Sequence, residues 1–268
     1  MQERLIKYGP WAIVTGASSG IGEATAKELA AEGFHLILAA RRKSKLIEQA
    51  KALETEYGVR VEISPGNLVT EEGRSNLFHL SQKHDVGLLV TAAGFGSSGH
   101  FIDADLEKEI DMVELNVISV MQQCHYFANH FRSRGAGGIV LYSSIVAFQG
   151  VPNSANYAAT KAYIQSFGEA LQKELKPTGV DVLIAAPGPT YSGFAEIADM
   201  RMAKAERPET VAQATVRSLG STRTIRPGTL SKVLSYSLMT LPRFGRVLMM
   251  GQIMKGMHHK PEPSPAKA

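Results

Sequence analysis

Between residues 11 and 188, short apolar runs and helix-spaced segments take strict turns, and this alternation limits the folds open to the chain more than any other feature. WAIVTGA at 11–17 is an apolar run ending in small residues, the pattern of a buried strand. IGEATAKELAAEG follows with Ile21, Ala24 and Leu29 at helical spacing and Gly33 as a stop. HLILAA at 35–40, VRVEIS at 59–64, VGLLVTAAG at 86–94, GIVLYSS at 138–144 and VDVLIAAPG at 180–188 read as further strands. KSKLIEQAKALETEYG, a segment after Thr70, a long helix near 106–134 and another near 155–175 fill the intervals. Unbroken apolar strands need cover on both faces, so the alternation predicts an α/β fold: a doubly wound parallel sheet with helices on both faces. Right-handed crossovers join its strands.

At 268 residues, with 44% hydrophobic and 20% charged side chains, the chain has the material for one core and no sign of disorder or fibrous repeat. We expect a single domain over 1–257, ending in an apolar and basic helical extension from about 229, and a disordered Pro-rich tail at 258–268. Cys124 is the lone cysteine, which suits a reducing compartment and a packing role. The charged start MQERLIKYGP is not a signal peptide, and no apolar run is long enough to span a bilayer, so a cytoplasmic location is expected. The net charge of +4 is spread along the chain without a nucleic-acid motif, so no nucleic acid is expected as partner. No cluster of ligating residues suggests a metal; His258 and His259 alone do not make a site.

TGASSGIG at 15–22 joins the first strand to the first helix. Gly16, Gly20 and Gly22 allow a tight turn and close backbone approach, and the helix N-terminus attracts an anion, so a pyrophosphate fits against Ser18, Ser19 and Ile21. The spacing departs from G-x-G-x-x-G. The second strand ends in Arg41-Arg42, where an acidic residue would favour a free ribose 2′-hydroxyl. A guanidinium suits a 2′-phosphate, which predicts NADP(H), with NAD(H) as the alternative and two solvated arginines as the plain reading.

YAATK at 157–161 puts Tyr157 and Lys161 one above the other on a helix face. An ammonium beside a phenol lowers the phenol's pKa toward working pH and makes it a general acid and base. Ser144 ends the preceding strand, at the carboxyl edge where open α/β sheets bind ligands. By spacing alone, Tyr157 and Lys161 also suit a solvated pair.

The order of TGASSGIG, LNV (115–117), YSS (142–144), YAATK and APGP (186–189) resembles the short-chain dehydrogenase/reductase family over nearly the whole chain. The resemblance implies a Rossmann-type sheet and a tetrad. Tyr157 would be the proton donor, Lys161 would lower its pKa and hold the nicotinamide ribose, Ser144 would stabilise the reacting oxygen, and Asn116 would support a water relay. It also implies cofactor contacts from Asn67 and Leu68 after the third strand, Ala93 and Gly94 after the fourth, and Pro187, Gly188 and Thr190 or Ser192 after the sixth. Hydride would pass between the nicotinamide and a substrate carbon. A homodimer or homotetramer is expected from the resemblance.

Two positions depart from the family pattern. Thr91-Ala92-Ala93-Gly94 stands where Asn-Asn-Ala-Gly is usual, removing two amide side chains that help tie the central strands together. Asn67 stands where Asp is usual and still offers an acceptor to an adenine amino group.

Substrate choice is expected from the loop after Gly94, the segment Ile145–Asn153 and the stretch 191–204, where Tyr191, Phe194, Ile197, Met200 and Met202 form either an apolar pocket or a lid's packing face. The absence of an obvious anchoring charge favours an apolar carbonyl or alcohol substrate. Within the family, AARRKSKLIEQA, the AAGFGSSGHF loop, APGPTYSGF and LPR at 241–243 most resemble a bacterial subgroup of NADP(H)-dependent reductases, related more distantly to 3-ketoacyl-CoA and hydroxysteroid reductases, which implies 3-ketoacyl thioesters or steroid-like ketones as alternative substrate classes. Residues 229–257 read first as a cover over the pocket or a subunit boundary, and second as a membrane-surface helix. The alternative to an enzyme is a non-catalytic NADP(H)-binding sensor or scaffold.

Overall fold

The computed structural model describes residues 2–191 and 205–257. Seven strands form one sheet in the order β3-β2-β1-β4-β5-β6-β7, every neighbouring pair parallel. They are β1 (Trp11–Thr15), β2 (His35–Ala40), β3 (Val61–Pro65), β4 (Val86–Thr91), β5 (Gly137–Tyr142), β6 (Val180–Ala185) and β7 (Thr224–Ile225). The strand order reverses between β1 and β4, where doubly wound sheets open a ligand crevice.

The helices are α1 (Gly20–Ala31), α2 (Lys43–Tyr57), α3 (Glu71–Ser81), α4 (Leu106–Val113), α5 (Val120–Arg134), α6 (Ala155–Leu175), α7 (Pro208–Ser218), α8 (Thr229–Met239) and α9 (Arg243–Met257). Alternate strand residues serve opposite faces, as the two-residue period of a strand requires. Val14, Leu38, Val90 and Val140 pack with Leu29, Leu46 and Val211 of α1, α2 and α7. Ile13, Ile37, Leu89 and Leu141 pack with Leu77, Phe127, Phe131 and Ile164 of α3, α5 and α6. Cys124 lies in this second layer, where burial pushes its thiol up to about 12, the state of an inert packing residue.

Residues 106–134 are not one helix. A π-helical stretch, Glu114–Ser119, separates α4 from α5. The wider turn faces Asn116 inward, and the bonds it gains there hold the distortion; π turns of this kind collect at functional sites. Sequence reading also missed the 3-10 turn Glu3–Tyr8, whose Tyr8 hydroxyl donates to Asp181 at 2.7 Å, and the short edge strand β7.

Threonines replace the missing amides of the central strands. The Thr91 hydroxyl donates to the Val140 carbonyl at 3.2 Å, bridging β4 to β5. Thr15 donates to Val90 O at 3.4 Å and accepts from the Ala93 N–H at 3.3 Å, bridging β1 to the end of β4. The departure at 91–92 therefore leaves the strand tips cross-linked.

Candidate active site

A cavity of about 550 Å³ opens along the carboxyl ends of the strands. Six of the seven strand ends supply part of its wall: Gly16 after β1, Arg41 and Arg42 after β2, Asn67 and Leu68 after β3, Ala92–Phe95 after β4, Ser143–Val146 after β5, and Pro187–Thr190 after β6. Ser18, Ser19, Gly20, Ile21 and Gly22 line the same space.

At the glycine turn, Gly16 takes φ 68° and a Cβ there would lie 2.7 Å from the Ala93 backbone, so the turn fits only because position 16 carries no side chain. Ser19 caps α1 without a side-chain hydrogen bond, which leaves the first amides of the helix facing the cavity wall. Arg42 donates from Nη2 to the Ser18 carbonyl at 3.0 Å and to the Ser18 hydroxyl at 3.1 Å, so its guanidinium stands over the turn. The Asn67 side-chain carbonyl accepts from the Val69 N–H at 3.2 Å and keeps a second lone pair.

At the other end stand Ser144, Tyr157 and Lys161, all lining the cavity. The serine pair divides its work. Ser143 donates to the Lys161 backbone carbonyl at 3.0 Å, fastening the end of β5 to α6. The Ser144 hydroxyl donates to the Pro187 carbonyl at 3.4 Å, accepts from the Val146 N–H at 3.3 Å and acts on the Tyr157 hydroxyl. Lys161 donates from Nζ to the Tyr142 carbonyl at 2.9 Å, and burial lowers its pKa to about 8. Burial also raises the Tyr157 phenol above its ordinary value, the Ser144 bond opposing it by less. Here the sequence expectation of a phenol lowered by its lysine differs from the structure. Dry walls penalise the phenolate and the ammonium alike, so both groups shift toward neutrality.

Asn116 does not line the cavity; it sits buried behind the loop after β4. Its Nδ2 donates to Phe95 O at 2.8 Å and to the Thr160 hydroxyl at 3.1 Å, while Oδ1 accepts from the Phe95 N–H at 3.2 Å. A Cβ on Gly94 would lie 2.9 Å from Asn116 Oδ1, so this loop presses closely on the π turn. Thr160, which sequence reasoning passed over, stands beside Lys161 in YAATK and was legible there as a hydroxyl on the helix.

Pro187, Gly188 and Thr190 line the cavity, and Ser231 of α8, not foreseen, accepts from the Gly188 N–H at 2.8 Å. Ser192, with Phe194, Ile197, Met200 and Met202, lies outside the described residues. Tyr191 is exposed and is no part of the cavity wall. Phe95, Leu115, Ile145 and Val146, together with Leu234, Met250, Ile253 and Met254 from α8 and α9, give the cavity an apolar lining. Residues of both C-terminal helices thus line the pocket.

The sequence model described as short chain dehydrogenase matches residues 10–201, most of the chain. This chain belongs to the short-chain dehydrogenase family. The dehydrogenase is 31% identical over 230 residues to a 7beta-hydroxysteroid dehydrogenase of Clostridium sardiniense, covering 84% of this chain and 88% of that one. It is 32% identical over 221 residues to a very-long-chain 3-oxoacyl-CoA reductase of Anas platyrhynchos, covering 79% of this chain and 69% of that one. A solved short-chain dehydrogenase from Sphingobium yanoikuyae in complex with NADPH superposes with a TM-score of 0.80 at 25% identity, covering 97% of this chain and 98% of that one. The dehydrogenase is an oxidoreductase of hydroxyl and carbonyl groups that uses a nicotinamide cofactor, which sets aside the sensor alternative. Its residues fit such a cofactor. The uncapped start of α1 and the side-chain-free turn at Gly16 match a pyrophosphate, and a buried amine and two hydroxyls meet at the far end of the same cavity.

Proposed function

We propose that this dehydrogenase interconverts a bulky apolar ketone and its secondary alcohol, with NADP(H) as the preferred cofactor. One observation carries the reading: a single cavity has a phosphate turn guarded by Arg42 at one end and a Ser144–Tyr157–Lys161 group under apolar side chains at the other. The cofactor, when bound, supplies or takes the hydride at the carbonyl carbon.

The chain's residues do the rest. Ser19, Gly20, Ile21 and the α1 amides hold the pyrophosphate, and Arg41 and Arg42 take the 2′-phosphate as charge-assisted donors. Asn67 and Leu68 border the adenine, and Ala93, Gly94, Pro187, Gly188 and Thr190 border the nicotinamide half. Ser144 and Tyr157 hold the substrate oxygen between two hydroxyls. At neutral pH the raised phenol is protonated, the form needed to donate; its proton goes to the carbonyl oxygen as the hydride reaches the carbon, giving the neutral alcohol. Lys161 stabilises the phenolate so formed and grips the ribose hydroxyls. Asn116 is assigned a positioning role: its committed amide holds Phe95 and Thr160, and through them the loop after β4 and the Tyr157–Lys161 turn.

The apolar lining by Val146, Leu234, Met250, Ile253 and Met254 supports a substrate with a large hydrocarbon body. Steroid-like ketones and 3-oxoacyl thioesters are the classes that its relatives' names suggest. A cytoplasmic setting and a dimer or tetramer complete the proposal. Stopped-flow oxidation of NADPH against ketosteroids, 3-oxoacyl thioesters and small water-soluble ketones tests it. Turnover should favour the bulky apolar members; equal or faster turnover of small polar ketones overturns the substrate class.

A further inference from the structure

The helices α8 and α9 are apolar on both sides. Their inner side reaches the pocket through Leu234, Met250 and Met254. Their outer side exposes Val233 at 61%, Tyr236 at 60%, Met239 at 48%, Phe244 at 74%, Leu248 at 56% and Met249 at 41%. The spacing 233, 236, 239 keeps the first three within one arc of α8, opposite the buried Ser231 and Leu238. On α9, Phe244, Leu248 and the exposed Lys255 fall on one face by the same helical period, opposite the buried Met250 and Met254. An exposed apolar surface of this kind marks an interaction site.

Charge selects the occupant. Lys232, Arg243, Arg246 and Lys255 stud the two helices, and the chain carries no Asp or Glu from Thr210 to Pro261. The Arg226 guanidinium adds a further cation, 5.9 Å from the Tyr236 ring centre. A second copy presenting the same face would set cation against cation, because a two-fold interface pairs a patch with itself. The tail HHKPEPSPAKA has no large apolar residue with which to cover the face. An anionic bilayer surface matches both properties: its acyl boundary accepts Phe244 and Leu248, its interface accepts Tyr236, and its phosphates attract the lysines and arginines.

We propose that α8 and α9 dock this dehydrogenase on the surface of an anionic lipid bilayer, outer faces in the headgroup region. Because the same helices wall the pocket, an apolar ketone dissolved in the bilayer enters beside them; this last consequence rests on the apolar-ketone reading, whereas the docking does not.

Flotation of the full chain with lipid vesicles tests the docking without reading turnover. Vesicles containing phosphatidylglycerol should carry the protein upward, phosphatidylcholine vesicles should leave it behind, and raised salt should weaken the association. A Phe244→Glu/Leu248→Glu variant should lose about tenfold or more of the bound fraction. Its thermal midpoint and its turnover of a water-soluble ketone should stay as in the wild type. No flotation with either vesicle, equal flotation with both, or a variant that floats like the wild type overturns the proposal. So does an absence of flotation with a wild-type dimer that the variant reduces to monomer, which would give the face to a second copy.

Discussion

The Lys161 ammonium lies 5.8 Å from the centre of the Tyr157 ring while it donates to the Tyr142 carbonyl at 2.9 Å. One helical turn brings the two side chains to the same face, and the end of β5 fixes where the amine points. A charge at that range steadies a phenolate as it forms without stripping the proton beforehand. The pair suits the donor role proposed for it, with the phenol raised and the amine lowered to about 8 by the same dry surroundings.

Tyr157→Phe removes the proposed proton donor and leaves the walls of the cofactor end untouched. Turnover should fall by about 10³-fold or more, the scale of a lost general acid joined to a lost oxygen contact. NADPH affinity, read by fluorescence titration, should change by less than about threefold. Near-normal turnover in the variant would falsify the assignment of Tyr157 as donor.

Lys161→Met should stabilise the cofactor-free protein. The native pKa of about 8 lies below the ordinary lysine value of 10.5, so the unfolded chain binds more protons between those values and wild-type stability rises with pH across that window. Below pH 8 the buried charge opposes folding by something on the order of 3 kcal/mol, and a methionine of similar shape has no such charge. Thermal melts should put the variant above the wild type at pH 7, with the gap narrowing toward pH 10. A constant gap across that range would show that the amine's burial is not the cause. Activity should be lost in the same variant.

Arg41→Ala/Arg42→Ala addresses the cofactor choice. If the guanidiniums meet a 2′-phosphate, NADPH should bind about 10- to 100-fold more weakly and NADH about as before. Equal losses for both cofactors would mean that Arg42 serves only to brace the turn through Ser18.

Much of this was legible in the sequence because apolar runs buried on both faces leave no choice but a covered parallel sheet, and because TGASSGIG and YAATK keep their chemistry within one turn of chain. What stayed hidden depends on contacts distant in sequence. The π turn at Glu114–Ser119 is held by Asn116 bonding to Phe95, a pairing that helical periodicity does not encode. The bridge from Thr91 to Val140 exists only once β4 lies beside β5. The expectation for the Tyr157 phenol weighed the charge beside it and omitted the burial, which only the folded pocket reveals. Likewise the apolar composition of 229–257 could not say which face met the pocket and which the solvent.

Ser231 is the least foreseeable member of the site and gives it a separate test. Its hydroxyl, fully buried on α8, accepts from the Gly188 N–H at 2.8 Å, and a Cβ on Gly188 would lie 2.7 Å from the same oxygen. The bond ties the loop after β6, proposed above to border the nicotinamide, to a helix that lines the pocket. Ser231→Ala leaves that N–H without its partner, at about 1–3 kcal/mol, and should lower the thermal midpoint by a few degrees. A purely structural bond would do no more than this. If it also positions the loop, the midpoint gain on adding NADPH should shrink in the variant and its KM for NADPH should rise, while Ser231→Thr, which keeps the hydroxyl, restores both. An undiminished cofactor-induced gain in Ser231→Ala would confine the serine to packing.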